Sequence, residues 1–330
     1  MNIPTLTMNE DNNTLEPSLT SESKKRKVCD NNCFELVFAA LLVNENINNY
    51  DELLNFVNDS NLKENNKFKY KDDDLQKFIA DLTSRPIKVV NKFILNFRLQ
   101  FECKCDFTYD AIESVYLTGK YIDGFSEIEK LNETYDIKSR KADVYVKTKS
   151  GIFIGFSIKQ SKLATKSNYS VQKMFPTEIS DELTAIKLNY LRENGFLKHD
   201  AKNRDGVNKL FYGENPYFVK LKMYIEQYNS LIISNIIKHL YCDGISYDIY
   251  EFDGEKMDKL SGFKIMKENV LFHEHLPFNV DKNGKQRNCA KLFYKLVVPT
   301  ENLTVSEYRV EIRWKGNVHQ SSPQLFIHSI

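Results

Sequence analysis

The chain has 330 residues, enough for one large domain or two modest ones with a proper hydrophobic core. Its 46 basic and 45 acidic residues leave a formal charge of +1, so no global excess of positive charge indicates nucleic-acid binding. The six cysteines lack a metal-binding spacing and are expected to be reduced thiols. No apolar run reaches the length of a membrane span and the N-terminus is too polar for a secretory signal, so we expect a soluble intracellular protein, cytoplasmic or nuclear.

Residues 1–30 are mostly polar and are expected to form a disordered tail, because they offer too little apolar surface to offset the entropy of ordering. The tail contains the sequence SKKRKV, which resembles a short nuclear import signal that an import receptor would bind. An equally acceptable interpretation is a basic cluster that keeps the tail soluble or touches phosphate nonspecifically. The basic residues concerned are Lys24, Lys25, Arg26 and Lys27.

Residues 31–105 are expected to form a helical N-terminal section. The run FELVFAALLVN, from Phe34 to Asn44, is apolar on most sides and predicts a buried helix. YDELLNFVND predicts a second helix with one apolar face. A third helix begins at the acids Asp72 to Asp74, and Pro86 separates it from a fourth.

Residues 106–330 are expected to hold the functional core and C-terminal strands. ADVYVKT and IFIGFSIK predict two strands of a hairpin that turns at Gly151. TKSNYSVQKM and SDELTAIKLNYLREN then predict helices, the second with Ser180 as its N-cap, and a long helix opens at Pro216. ISYDIYEF, KLFYKLVVP and SEYRVEIRWKG predict strands. This order of elements indicates an α/β fold, with α+β as the alternative.

The predicted hairpin carries polar residues that a purely structural sheet does not need. Asp143 stands at the head of the first strand, and Lys159 ends the apolar run of the second. Ser157 and Lys159 share a strand face, because side chains repeat every second residue. Magnesium-dependent phosphodiester cleavage needs carboxylate oxygens for the metal and a cation near the attacking water and the phosphate. A solvated aspartate and a lysine that reaches out from a sheet edge are the structural alternative.

Asp143, the apolar strand and Ser157-Ile158-Lys159 resemble the PD-(D/E)XK nuclease superfamily, and most closely a type II restriction endonuclease with Ser-x-Lys in the motif. The resemblance implies a mixed central sheet of restriction-endonuclease-like type, flanked by helices, and a Mg²⁺ cofactor. It implies that Asp143 binds the metal and that Lys159 orients the water. Ser157 occupies the usual place of the second carboxylate. Further metal ligands implied by the resemblance are Glu113, as the acid that the superfamily places on its first core helix, and Gln172.

Two polar stretches are candidates for contact with DNA. The first follows the hairpin and would line the phosphate path. The second is the strand SEYRVEIRWKG, where Arg309, Arg313 and Lys315 alternate with apolar residues and predict one cationic face, although such alternation is also common on solvated strands. FHEHLPFNVDKNGK, with His273 and His275, is interpreted as an exposed loop. The predicted DNA-binding residues are Gln160, Lys162, Lys166, Ser167, Asn168, Arg313 and Lys315.

These features together predict a Mg²⁺-dependent DNA endonuclease, a sequence-specific type II restriction enzyme that acts on double-stranded DNA. Because cutting both strands of a symmetric site calls for twofold symmetry, a homodimer is expected by analogy. Two alternatives remain open. One is a catalytically inactive nucleic-acid-binding relative, which Ser157 favours. The other is a nuclease for RNA or structured DNA, since the hairpin chemistry does not identify the sugar.

Overall fold

A computed structural model of the chain describes residues 33–119, 121–135, 142–159, 167–198, 204–211, 215–242, 244–261, 265–274, 291–299, 305–314, 318–319 and 321–330. The predicted tail and its import-like motif lie outside these ranges. Within them, every helix is too short or too polar to cross a lipid bilayer.

Several helices begin close to the capping residues and prolines that the sequence indicates. Pro86 immediately precedes the fourth helix, and Asn215 caps the helix that opens at Pro216 by accepting a hydrogen bond from the Phe218 N–H at 2.9 Å. The helices are α1 (Cys33–Val43), α2 (Tyr50–Val57), α3 (Asp72–Thr83), α4 (Ile87–Lys104), α5 (Ser126–Leu131), α6 (Thr177–Glu193), α7 (Arg204–Leu210), α8 (Pro216–Gln227) and α9 (Asn229–Tyr241).

The predicted hairpin and the predicted C-terminal strands are all present, together with shorter strands. They are β1 (Phe68–Lys69), β2 (Ile112–Leu117), β3 (Val144–Thr148), β4 (Phe153–Ile158), β5 (Ser167–Ser170), β6 (Asp248–Phe252), β7 (Met257–Lys259), β8 (Leu271–Glu274), β9 (Lys291–Pro299), β10 (Val305–Arg313) and β11 (Gln324–Ser329).

In the described part of the chain these strands form two sheets, where the sequence predicted one central sheet. The first sheet has the order β1-β2-β3-β4-β6-β7 and the second has the order β5-β11-β10-β9-β8. In the first sheet β2, β3 and β4 are antiparallel neighbours, and β6 runs parallel to β4. The first sheet is therefore mixed, and helices α6 to α9 lie in the connection between its two parallel central strands.

Three secondary-structure predictions after the hairpin were wrong. The segment predicted as a helix from Thr165 forms β5, which pairs with β11, followed by a 3-10 turn over Val171–Met174. Helix α6 begins at Thr177, so Ser180 is not its N-cap. The long helix predicted from Pro216 is two helices that meet at Tyr228. In the first case pairing with a strand distant in sequence overrides local propensity.

Helix α1 packs its aromatic residues on the first sheet. The Phe38 ring lies 4.9 Å from the Phe156 ring of β4 and 5.8 Å from the Phe252 ring of β6, measured between centroids. Residues on both sides of the predicted boundary at 105 and 106 therefore share one hydrophobic core. A second core joins helices α6, α8 and α9 to the second sheet.

The N-terminus of α1 is anchored by a buried carboxylate. Asp81 is 1% exposed, and its Oδ2 accepts the Cys33 N–H at 3.0 Å. Arg85 Nη2 lies 2.9 Å from both oxygens of the same carboxylate. A charged acceptor at a helix N-terminus satisfies an amide that the helix itself leaves unpaired. This contact fixes the first turn of α1, the turn that carries Glu35.

Close packing on the other face of β4 generates a stability prediction. A Cβ atom at Gly155 would lie 2.7 Å from Ala142 Cβ and 3.1 Å from Tyr247 Cε2. We therefore expect Gly155→Ala to lower the free energy of unfolding by about 1–3 kcal/mol, the usual cost of overpacking a core. Denaturant-induced unfolding followed by circular dichroism measures this change.

The matched control moves the methyl group across the contact. Because Ala142 is the nearest neighbour, the double variant Gly155→Ala/Ala142→Gly should recover part of the lost stability. If the double variant shows only the sum of the two single losses, the clash between these residues is not the cause.

Candidate active site

Asp143 joins three strands at the open end of the hairpin. Its carboxylate Oδ2 accepts the Ile158 N–H at 2.8 Å, and its backbone N–H donates to the Phe156 carbonyl at 2.7 Å. Its own carbonyl accepts from the N–H groups of Thr118 and Gly119, just after β2, at 3.2 and 3.0 Å. These bonds hold the Asp143 side chain in one position between the ends of β2 and β4.

The half-buried Asp143 carboxyl has a strongly shifted ionisation. Burial raises its pKa to about 6, while the Lys159 ammonium and the Ile158 N–H oppose the rise and the negative charge of Glu251 adds to it. A carboxyl group moved out of water loses solvation mainly in its charged form. Asp143 is therefore near the midpoint of its titration at slightly acid pH.

Glu35 is a functional candidate that sequence reasoning missed. It is the single acidic residue of the apolar helix α1. A Cβ atom at Gly119, which has φ +54°, would lie 3.3 Å from Glu35 Oε2, so the carboxylate lies against the backbone that follows β2. Burial raises the pKa of Glu35 well above its usual value; the charge of Asp143 raises it further, and Lys159 lowers it. Asp143 is therefore close enough to Glu35 to raise the pKa of the Glu35 carboxyl.

Ser157 of β4 and Lys159, which directly follows β4, complete the site. The Lys159 N–H donates to the Phe252 carbonyl at 2.8 Å, which extends the pairing of β4 with β6 by one residue. Its ammonium favours the charged forms of both Asp143 and Glu35. Ser157 is fully buried, and its hydroxyl has no hydrogen-bond partner among the described residues. We call Glu35, Asp143, Ser157 and Lys159 the hairpin-end site.

Glu251 of β6 is a second residue that sequence reasoning missed. It is 4% exposed and lies opposite Ser157 in the register of the parallel pair β4 and β6. Its charge raises the pKa of Asp143. The signal in the sequence was the acid within the strand-like run DIYEF, at a position where a structural strand would carry an apolar residue.

Two residues predicted as metal ligands lie elsewhere. Glu113 lies on strand β2, not on a helix, and its carboxylate is 3.4 Å from Lys147 Nζ at the exposed surface. Gln172 lies between residues of the second core, and its amide Nε2 donates to the Ser180 carbonyl and to Thr184 Oγ1 at 3.0 Å. The structure does not bring either residue to the hairpin-end site.

The strand face predicted to be cationic carries charges of both signs. Glu311 lies between Arg309 and Arg313 on β10, with its carboxylate oxygens 3.2 Å from Arg309 Nη2 and 3.8 Å from Arg313 Nε. The Arg313 guanidinium also lies 4.2 Å from the centre of the Phe326 ring. Arg313 is thus engaged within its own sheet. The predicted cationic face overlooked Glu311, which the same alternation places between the two arginines.

The remaining predicted DNA contacts are only partly within the described residues. Ser167 and Asn168 lie on β5, opposite Ile327 and Phe326 of β11. His273 is an exposed residue of β8 rather than part of a loop. Outside the described residues are Gln160, Lys162, Lys166, His275 and Lys315.

The part of the chain that the structure describes holds no group of three or more His, Cys, Asp and Glu side chains arranged to bind a metal ion. Mg²⁺ does not require such a group, because in proteins it is usually held by one or two carboxylates and keeps several waters. The carboxylates of the hairpin-end site are those of Glu35 and Asp143.

No protein-family model matches the chain, and neither a curated protein nor a solved structure is significantly similar to it. The functional assignment therefore depends on the chemistry of the hairpin-end site.

The raised pKa of Asp143 predicts a stability change with a definite pH dependence. Between about pH 4 and about pH 6 the folded protein holds a proton on Asp143 that the unfolded chain has released. Raising the pH through this window therefore destabilises the fold. We expect Asp143→Asn, which keeps an acceptor for the Ile158 N–H, to be more stable than the native protein at pH 8 by on the order of 1–2 kcal/mol.

Thermal melting in EDTA at pH 8 and at pH 4 measures the difference. The gain should disappear at pH 4, where the native Asp143 is protonated in the folded state. Glu113→Gln serves as the exposed control and should change the melting temperature little at either pH. An Asp143→Asn variant that melts below the native protein at pH 8 would show that the carboxylate stabilises the fold.

Proposed function

We propose that this protein is a Mg²⁺-dependent endonuclease that hydrolyses phosphodiester bonds in DNA. The observation that carries the proposal is the convergence of Glu35, Asp143 and Lys159, from three separate elements, at one end of the central hairpin. Two carboxylates and an ammonium in one half-buried place are costly for stability, because each charge loses solvation there. Such groups are kept where chemistry requires them.

The arrangement of elements supports the resemblance to PD-(D/E)XK nucleases. The hairpin β3–β4 lies inside a mixed sheet, with β2 antiparallel on one side and β6 parallel on the other. Helix α1 packs on that sheet and brings an acid to the site. The resemblance calls for an acid on the first core helix, and Glu35 fulfils this requirement where Glu113 does not.

The donor set fits a hard divalent cation. The carboxylates of Glu35 and Asp143 would hold Mg²⁺, which prefers oxygen ligands, and the fully buried Ser157 hydroxyl is a further oxygen at the same end of β4. When bound, the metal would polarise a phosphoryl oxygen and lower the pKa of a coordinated water. Neither cysteine nor histidine belongs to the hairpin-end site, so the site does not favour Zn²⁺.

The protein's own residues have separable roles. The Lys159 ammonium lies near enough to both carboxylates to favour their charged forms, and from there it would orient a water and stabilise the negative charge that develops on the phosphate. Asp143 has to be ionised in order to bind a cation, so a proton competes with the metal below about pH 6. Glu35 would share the metal, and it lies against Gly119, where a larger residue would displace its carboxylate.

Double-stranded DNA is the proposed substrate, and a homodimer is the proposed assembly for cutting both strands of a symmetric site. The serine at position 157 favours a second candidate, a relative that binds nucleic acid without cutting it. Incubation of the protein with plasmid DNA, single-stranded DNA and RNA, each in Mg²⁺ and in EDTA, separates these functions. Mapping the ends of a digested plasmid then shows whether cleavage is sequence-specific.

The cleavage assay yields a prediction for single residues. Glu35→Gln, Asp143→Asn and Lys159→Ala should each lower the cleavage rate by about 10² or more, because each removes a metal ligand or the charge opposite the phosphate. Asp143→Asn should lose activity while melting at a higher temperature at pH 8, so unfolding does not explain its loss. Initial rates under single-turnover conditions provide the measurement.

Glu113→Gln is the matched control and should cleave at the native rate, since its carboxylate pairs with Lys147 at the surface. Native rates in a folded Lys159→Ala variant would remove the hairpin-end site from the mechanism. Absence of cleavage by the native protein on all three substrates, with retained DNA binding, would favour the inactive relative.

A further inference from the structure

The edge strand β1 of the first sheet carries lysines at alternate positions. In the run Lys67-Phe68-Lys69-Tyr70-Lys71, Phe68 is buried in the first core and Tyr70 packs against it, with the two ring centroids 4.9 Å apart. The chain is still extended at Lys71, with φ −100° and ψ 131°. Because side chains alternate along an extended chain, the three lysines share the sheet face that points away from this core. We call Lys67, Lys69 and Lys71 the lysine ladder.

The lysine ladder lies on the same sheet face as Asp143. In the register of the sheet Lys69 is opposite Tyr116 of β2, which is opposite Tyr145 of β3. Residues opposite each other project from one face, and Asp143, two residues before Tyr145, belongs to that face too. Lys71 lies beyond Lys69 towards the same end of the sheet, which places it two strands, or about 10 Å, from Asp143. The ladder therefore leads along β1 towards the hairpin-end site.

The acids beside the ladder are already engaged by other lysines. Asp72 Oδ2 lies 2.7 Å from Lys63 Nζ, and Glu127 Oε1 lies 2.6 Å from Lys147 Nζ. Within the described ranges, the ammonium groups of the ladder form no ion pair, although all three side chains are half-buried. A charge that loses solvation without a partner is costly, and an anion from outside the chain would offset that cost.

Lys67, at the far end of the ladder, shows this cost in its ionisation. Burial lowers its pKa and the charge of Lys149 lowers it further, against the opposing effects of Glu45 and Asp110. The nearby carboxylates thus do not fully compensate for the lost solvation. Lys149 belongs to the turn of the hairpin and adds a fourth cation at this end of the ladder.

A cleft of about 490 Å³ opens beside the ladder. Lys71 Nζ lies 5.5 Å from the centre of the Phe125 ring, which forms part of its wall. In complexes with DNA, phosphate oxygens accept hydrogen bonds from lysine, asparagine and serine side chains. The cleft offers donors of these types at Lys63, Asn65, Asn66, Lys69 and Ser126.

We propose that the lysine ladder binds the phosphate backbone of double-stranded DNA and directs one strand to the hairpin-end site. This inference rests on the proposed function, which supplies the choice of ligand. The ladder covers about 14 Å, four residues of extended chain, which corresponds to about four phosphates of one strand along the duplex axis. A row of lysines matches a row of phosphates without reading bases, so the contact should be independent of DNA sequence.

Affinity for duplex DNA at several salt concentrations is the direct test, measured by fluorescence anisotropy with Ca²⁺ in place of Mg²⁺ to prevent cutting. The triple variant Lys67→Ala/Lys69→Ala/Lys71→Ala should bind about 10²-fold more weakly at low salt. Its salt slope should fall by about two to three units, because each phosphate contact contributes about 0.9. The loss should be equal on duplexes of unrelated sequence.

Two further variants separate charge from structure. Replacing the three ladder lysines by arginine keeps the charges and should keep most of the affinity. Lys92→Ala is the matched control, because Lys92 pairs with Glu255 and belongs to α4, which packs on the opposite face of the first sheet. It should leave affinity and salt slope unchanged. Thermal melting verifies that every variant is folded.

The outcomes separate this inference from the proposed function. Native affinity and slope in the folded triple alanine variant, with a native protein that binds and cleaves duplex DNA, would overturn this inference alone. A loss of affinity for single-stranded RNA but not for duplex DNA would overturn it as well, because the ladder would then serve another polymer. If duplex DNA binds through the ladder but is not cleaved in Mg²⁺, the proposed function fails and this inference stands. A native protein that binds no duplex DNA at low salt would overturn both.

Discussion

The hydrogen bonds of Asp143 are the constraint on which the rest of the site depends. Its carboxylate and backbone bind the end of β4, and its carbonyl binds the chain after β2. Three strand ends are therefore joined through one residue. Asp143 fixes the position of the backbone at Gly119, against which Glu35 lies, and of the end of β4, which Lys159 follows. The cores on both faces of the sheet keep these strands rigid, so the polar groups cannot separate to recover solvation.

The electrostatic consequence is that the charged forms of these carboxylates oppose folding. Burial raises the pKa values of Asp143 and Glu35, and Lys159 compensates only in part. Natural proteins keep such costs at functional sites, where activity and stability are in conflict. By contrast, the buried Asp81 has Arg85 and a helix N-terminus as partners and serves to hold α1 in place. This difference between the half-buried Asp143 and the buried Asp81 is the physical basis for proposing a function for the first and a structural role for the second.

Local patterns predicted the hairpin, helices α1 to α4 and the C-terminal strands, because periodicity, caps and proline act within a few residues. They did not predict β5 or the division into two sheets, which depend on pairing with the distant β11. Asp143 and Lys159 were identified by their place in one hairpin, and the structure leaves their role a proposal. Glu35 and Glu251 were missed because each is a single acid in an apolar segment, and only the packing of α1 and the register of β6 bring them to Asp143.

Anomalous diffraction from crystals grown with Mn²⁺ at pH 8 is the measurement that tests the account's central claim, that the hairpin-end site binds a divalent cation. We predict a single strong anomalous peak within bonding distance of the Glu35 and Asp143 carboxylates, near Lys159. At pH 5, where protons compete for Asp143, the peak should weaken. A hairpin end without a peak at pH 8, with Lys159 forming direct ion pairs to both carboxylates, would contradict the claim and make these residues a structural network.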